Sequence, residues 1–149
     1  MDLQELMDRE EIRCLQNAYN IGGDRGRIDE LAGVFTPDGT LTSRGGTAVG
    51  PAAIQAQMTK SGPRPTEGPD RKMDFVRHNL TTSRVDFDSP TDARGRTYFM
   101  VYSEIGPDHM GVYVDRYKKI DGAWKIAERK VRIDWVAEGG HSIKSRVSD

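Results

Sequence analysis

The run Tyr113-Val114-Asp115-Arg116-Tyr117-Lys118-Lys119-Ile120-Asp121-Gly122-Ala123-Trp124-Lys125-Ile126 reads as a β-hairpin. Asp121-Gly122 supplies the tight turn, whose two central residues need the left-handed backbone region that Gly adopts freely and Asp tolerates. The flanking stretches, 110–120 and 123–136, are long enough for two extended antiparallel strands. Upstream, 75–87 and 93–104 form a second such pair across Asp88-Ser89-Pro90-Thr91-Asp92. In 93–104, Thr97, Phe99 and Val101 alternate with Arg94, Arg96, Tyr98, Met100 and Tyr102. One face therefore belongs to a core, and the Tyr/Met face suits an interface better than bare solvent.

Toward the N-terminus the rhythm changes. Leu3, Leu6, Met7, Ile12, Leu15 and Tyr19 recur at helical steps and predict an amphipathic helix with one apolar stripe. Asp8 followed by Glu11 has the form of a capping box, which starts the regular helix at Asp8, and Gly22-Gly23 ends it. A shorter helix carries Ile28, Leu31, Ala32 and Phe35 and stops at Thr36-Pro37-Asp38-Gly39. Residues 40–48 form a short strand pair bent at Gly45-Gly46, and Gly50-Pro51 opens a third helix to about Lys60. Residues 61–74, rich in Pro, Gly and charge, read as an exposed loop able to move over a site, and the polar tail 137–149 as loose. Helices first and strands after predict an α+β fold. Its helices pack on a curved, mostly antiparallel sheet, giving a cone-shaped α+β barrel that encloses a pocket.

Composition narrows the class. The chain has 149 residues, 36% of them hydrophobic, and a net charge of −1. That length suits a single domain, 1–149, and the near-zero charge argues against a nucleic-acid partner. The longest apolar or aromatic run, Tyr98-Phe99-Met100-Val101-Tyr102, is far short of the ~20 residues of a membrane span. Met1-Asp2-Leu3-Gln4-Glu5 is acidic and lacks the layout of a signal peptide, which makes the cytoplasm the expected location. Cys14 is the single cysteine, so it forms neither an internal disulfide nor a thiolate metal site.

No Gly-rich phosphate loop, Gly-x-Ser-x-Gly elbow or His-Glu-x-x-His occurs, which weakens nucleotide, serine-hydrolase and zinc-protease readings. Of the three histidines, His109 in the Gly106-Pro107-Asp108 turn and His141 in the tail are expected in solvent. His78 alternates with Val76 and Leu80 on an inward strand face, where an imidazole must find a partner. Asp24, just past the Gly22-Gly23 break, is the candidate partner, against a plainer role in capping the second helix or pairing with Arg25 or Arg27. Tyr19 is a stripe residue whose hydroxyl reaches a polar pocket. Arg132 is awkward in parity: it shares a face with Trp124 and Ile126, while Val131, Ile133 and Trp135 form the opposite set. Either both faces are buried, the outer by a partner subunit, or a bulge flips the register and turns Arg132 away.

Together these residues resemble a SnoaL-like protein of the nuclear-transport-factor-2-like superfamily. The resemblance runs from Asp8-Arg9-Glu10-Glu11-Ile12 to Arg132-Ile133-Asp134-Trp135 and is carried most specifically by 113–126 followed by Arg132. Within the superfamily the chain is most similar to bile-acid 7-alpha-dehydratase and hexachlorocyclohexane dehydrochlorinase, both cofactor-free lyases. The resemblance implies a catalytic Asp–His dyad at Asp24 and His78, a dehydratase tyrosine at Tyr19 (a lysine in the dehydrochlorinase) and an arginine at Arg132. Where the bile-acid enzyme has a second-strand aspartate, this chain has Val101, which makes the pocket more apolar. Phe35, Phe75, Phe99 and Trp124 then line it with Val101 for a hydrophobic cyclic substrate. The implied reaction eliminates water, or another small acid, without metal or nucleotide. Asp24 fixes the His78 tautomer, His78 takes the proton, Tyr19 donates to the departing or forming oxygen, and Arg132 stabilises negative charge. A homodimer or homotrimer is implied as well. Isomerisation, cyclisation and non-catalytic binding occur on the same fold and stay open.

Overall fold

Along the chain, α1 (Leu3–Asp24) and α2 (Ile28–Gly33) lead into β1 (Phe35–Ser43), β2 (Gly46–Val49) and α3 (Pro51–Ser61). The strands β3 (Arg77–Ser89), β4 (Asp92–Ser103), β5 (Gly106–Ile120) and β6 (Ala123–Val136) follow. This is a computed structural model that describes residues 2–61 and 75–141; the loop expected at 61–74, apart from Ser61, and the tail beyond His141 lie outside them. The strands form one six-stranded sheet in the order β2-β1-β6-β5-β4-β3, antiparallel except where β1 runs parallel to β6. It does not close on itself: β2 and β3 are its edges. Helix α1 packs on β6 and β3, and α3 on β1 and β2, giving the expected α+β layering.

The hairpin that anchors the sequence reading forms as expected. Asp121 and Gly122 both take positive φ, 51° and 82°, and pair Ile120 with Ala123. Residues 43–46 close the β1–β2 hairpin, and Pro51 opens α3. Other boundaries move. Phe35 begins β1 rather than ending α2, and Thr36-Pro37-Asp38-Gly39 is an irregularity inside that strand, where the β1–β6 register shifts between Phe35 and Thr40. Gly39 sits there because a Cβ would meet three backbone atoms at 3.0 Å.

Helix α1 starts earlier than the capping box suggests. Asp2 is the N-cap, its Oδ1 accepting from Glu5 N–H at 2.8 Å. Asp8 instead turns inward, where its Oδ1 accepts from Lys119 Nζ at 2.7 Å and Trp124 Nε1 at 2.9 Å. Burial alone would raise this carboxyl, but Lys119, Trp124 and Gln4 together hold it below its ordinary value. The apolar stripe is real only in its second half. Leu3, Leu6 and Met7 are exposed, while Ile12, Gln16, Tyr19 and Asn20 are buried. Gln16 Nε2 donates to Thr97 Oγ1 and Tyr117 Oη, and Asn20 Oδ1 accepts from Tyr113 Oη, each at 2.9 Å. Polar bonds as well as apolar contact thus fix the helix across the sheet.

In β6 the parity question has an answer. Arg116 pairs with Glu128 and Tyr117 with Ile126, so Ala127 is left over as a bulge. Trp124 and Ile126 point to the core before it, and Arg129, Val131 and Ile133 after it. Among the described residues no helix is long and apolar enough to cross a membrane.

Candidate active site

The end of α1 sets the first carboxylate. Arg27 N–H reaches Gly22 O at 2.8 Å and Gly26 N–H reaches Gly23 O at 3.2 Å, with Gly26 at φ 70°. This pair of bonds is a Schellman closure, so Gly22-Gly23 lie inside the helix and Asp24 in its last turn. Asp24 is held against β3, an edge strand, and collects a backbone N–H that the sheet leaves unpaired. Its Oδ2 accepts from His78 N–H at 2.9 Å, and its Oδ1 lies 2.6 Å from His78 Nδ1. An ionised carboxylate only accepts, so the short contact places the imidazole proton on Nδ1. Nε2 is the nitrogen left for chemistry. The Asp24 side chain is 8% exposed and that of His78 24%, a buried anchor behind a reachable imidazole.

From His78 a series of rings runs inward. Phe99 lies 6.1 Å away, Tyr113 stacks on Phe99 at 4.5 Å, and Tyr19 meets Tyr113 edge-on at 5.7 Å and Phe35 at 6.1 Å. Val101, fully buried, is the β4 register partner of His78. The structure therefore brings Asp24, His78, Tyr19, Phe35, Phe99 and Val101 into one contiguous region. Burial raises the Tyr19 phenol above its ordinary value and raises that of Tyr113 further.

Three expected site residues lie elsewhere. Arg132 faces outward, as the β6 bulge requires, and its Nε donates to Asp134 Oδ1 at 2.8 Å. Phe75 is 42% exposed, with the Arg77 guanidinium over its ring. Trp124 packs on Phe87 and bonds Asp8, about 24 Å along α1 from Asp24 at the helical rise per residue.

The inward arginine is Arg129, which sequence reasoning missed. It is fully buried, makes two bonds to Asp115 at 2.9 and 2.7 Å, and lies between the Tyr19 and Tyr113 rings at 4.3 and 4.2 Å. Burial opposes its charge, but Asp115 outweighs burial and raises its pKa above the ordinary value. Its Nη1 is buried with no hydrogen-bond partner among the described residues.

The expected exposure of His109 and His141 is not found either. Asp108, 1% exposed, has its carboxylate oxygens 2.6 Å from both Nδ1 atoms, and it accepts from Ser103 Oγ at 2.8 Å. Burial pushes this carboxyl up, but the bonds from His109, His141 and Ser103 bring it to about 2. The available signal was parity. Extending β5 back from the inward Tyr113 puts Gly111 and His109 on the same face. Among the described residues, no three His, Cys, Asp or Glu side chains converge as metal ligands would. Two clefts of about 320 and 460 Å³ lie against outward residues of the sheet such as Arg94 and Arg116, away from the dyad.

Residues 4–130 match the SnoaL-like domain. The chain belongs to the SnoaL-like family. Solved structures repeat the fold of this SnoaL-like domain over most of its length. A protein provisionally named scytalone dehydratase, from Novosphingobium aromaticivorans DSM 12444, is 23% identical at a TM-score of 0.76, over 97% of this chain and 95% of that one. The hexachlorocyclohexane dehydrochlorinase LinA-type3 from Novosphingobium barchaimii LL02 is also 23% identical, at a TM-score of 0.75, over 97% and 100%. A protein of unknown function with a cystatin-like fold, from Nostoc punctiforme PCC 73102, is 18% identical at 0.73, over 86% and 92%. At such identities the likeness is one of fold, and other SnoaL-like domains need not share a reaction with this one.

Proposed function

We propose that this SnoaL-like domain is a cofactor-independent lyase that eliminates water, or another small acid, from a hydrophobic cyclic small molecule. The observation that carries the reading is the double grip of Asp24 on His78, at 2.9 and 2.6 Å, with Nε2 left to act. Neutral His78 takes a proton from the carbon beside an activating carbonyl or leaving group, and Asp24 stabilises the imidazolium that forms. General-base catalysis of this kind supplies about 10²–10⁴ in rate, so other groups must share the barrier. Tyr19 donates to the oxygen that leaves or becomes the enolate. Arg129, packed on the Tyr19 ring with Nη1 unengaged by the described residues, supplies the positive charge first expected of Arg132. The dehydratase and dehydrochlorinase names among the similar structures support this class of reaction.

A screen of cyclic β-hydroxy ketones with mass detection tests the reading. Elimination gives a conjugated product about 18 Da lighter, whereas an isomerase leaves the mass unchanged. A folded His78→Ala chain that turns over as fast as the parent overturns it. The same reading places the chain in the cytoplasm as a homodimer or homotrimer, associating through the outer sheet face that exposes Tyr98, Tyr102, Met110 and Trp135. Sedimentation of the full chain reads that state directly, and a monomer overturns it.

A further inference from the structure

One row of the sheet runs His78–Val101–His109–Val136 across β3, β4, β5 and β6. Residues directly opposite one another share a face, so the row carries two histidines on the inner side, two strands apart. Their rings converge to 6.4 Å, edge to face, and Phe99 lies 6.1 Å from one and 6.2 Å from the other. Each Nδ1 is engaged by a buried carboxylate, Asp24 or Asp108, and neither Nε2 is bonded by a described residue. We propose that His109 is a substrate-recognition residue whose Nε2 accepts a hydrogen bond from a hydroxyl other than the leaving group, so that the substrate is a hydroxylated ring rather than a halogenated one. The inference rests on the elimination reading for its placing of the substrate at His78.

Asp108 is what gives His109 this role. It already accepts from Ser103 Oγ and from the His141 backbone N–H, and its carboxylate stays ionised through the neutral range. An acceptor in that state requires the proton of His109 on Nδ1. Burial is the main cause disfavouring charge on His109 and, with smaller contributions from His78 and His141, it outweighs the pull of Asp108. At neutral pH the imidazole is therefore uncharged, with Nε2 a bare acceptor. The groups around it are Asp108, His141, His78 and Phe99, and none of them offers Nε2 a donor. A carbon–chlorine bond offers none, and a ligand that covers Nε2 without a donor leaves it desolvated and unpaired. A hydroxyl satisfies it.

The test is binding by the full chain labelled with ¹⁵N in its histidines, read by long-range ¹H–¹⁵N spectra with phenol and chlorobenzene as probes. In the free chain His109 is expected to show the neutral tautomer with hydrogen on Nδ1. Phenol is expected to shift His109 Nε2 and to bind about 10- to 100-fold more tightly than chlorobenzene. His109→Phe abolishes that preference, and His109→Gln, which restores an acceptor oxygen, recovers part of it. Four results overturn the proposal: hydrogen on Nε2 in the free chain, equal affinity for the two probes, an unaltered preference in His109→Phe, or no His109 shift at any phenol concentration the folded chain tolerates. The readout needs no turnover. A chain that binds phenol through His109 but converts nothing sinks only the lyase reading, and a lyase indifferent to hydroxyl sinks only the role of His109.

Discussion

Arg129 and Arg132 are three positions apart on one strand and so face opposite sides, and the single bulged residue before them, Ala127, decides which side each takes. Arg129 is sealed with Asp115, and Arg132 lies on the outer face beside Asp134. Removing one member of a fully buried ion pair strands the other charge. Arg129→Met is therefore expected to cost about 3–5 kcal/mol in urea unfolding, while Arg132→Met stays within about 1 kcal/mol. The Asp24–His78 contact was only half legible at this scale. An inward histidine demands a partner, but a carboxylate past a helix end reads first as a cap, and it was the family resemblance that joined the two. Arg129 was not legible, since strict alternation counted from Trp124 and Ile126 gives it the outer face. Tyr113 was likewise read only as part of the hairpin, although it lies between Phe99 and Tyr19 at the centre of the ring series.

The bulges decide the elements in the same way. The β5–β6 register also shifts between Met110 and Gly111, and there a Cβ on Gly111 would lie 1.9 Å from Arg132 O. No side-chain rotation relieves a backbone clash, so Gly111→Ala is expected to destabilise by about 3 kcal/mol or more. Gly33, at the end of α2 with nothing within 4 Å of its would-be Cβ, is the control: Gly33→Ala is expected to be neutral or to stabilise by up to about 1 kcal/mol. Thermal unfolding of the two variants separates them. Turns with a chemical signature, such as Asp121-Gly122 and Gly50-Pro51, were legible because the backbone angles they need select their residues. The kink at Thr36-Pro37-Asp38-Gly39 has the same signature but is absorbed within β1, since Phe35 on one side and Thr40 on the other both pair with β6. Composition marks the bend without saying that the strand continues through it.

Across the whole molecule three inward groups held below their ordinary values, two carboxyls and one imidazole, act in one direction. Asp108 and Asp8 have carboxyls held below their unfolded values, so their stabilisation is complete above the ordinary carboxyl range and is lost as pH falls through it toward about 2. His109 is also lowered, and on acidification the unfolded chain takes up its proton first, so its contribution is full above about pH 6.5 and declines below that value. Urea midpoints are expected to fall from pH 7.5 to 5.5 and again from 4 to 2, and His109→Phe is expected to flatten the first decline. A rise in stability on acidification through either range would contradict the burial of these groups. At this scale the α+β class and the helix-on-sheet layering were legible from the order of periodicities. The polar seam of Asp8, Gln16 and Asn20 was not, because each polar residue in α1 reads as solvent-facing until its partner on a distant strand is known.

All three scales meet in the proton that His78 is proposed to take from carbon. Hydrogen exchange isolates that act from any leaving group. With cyclic ketones in deuterated water, the parent chain is expected to catalyse exchange at the carbon beside the carbonyl, and a His78→Ala chain of unchanged melting temperature to lose about 10²-fold or more of that rate. Exchange by folded His78→Ala at the parental rate, or none by the parent with any ketone it binds, would contradict the account.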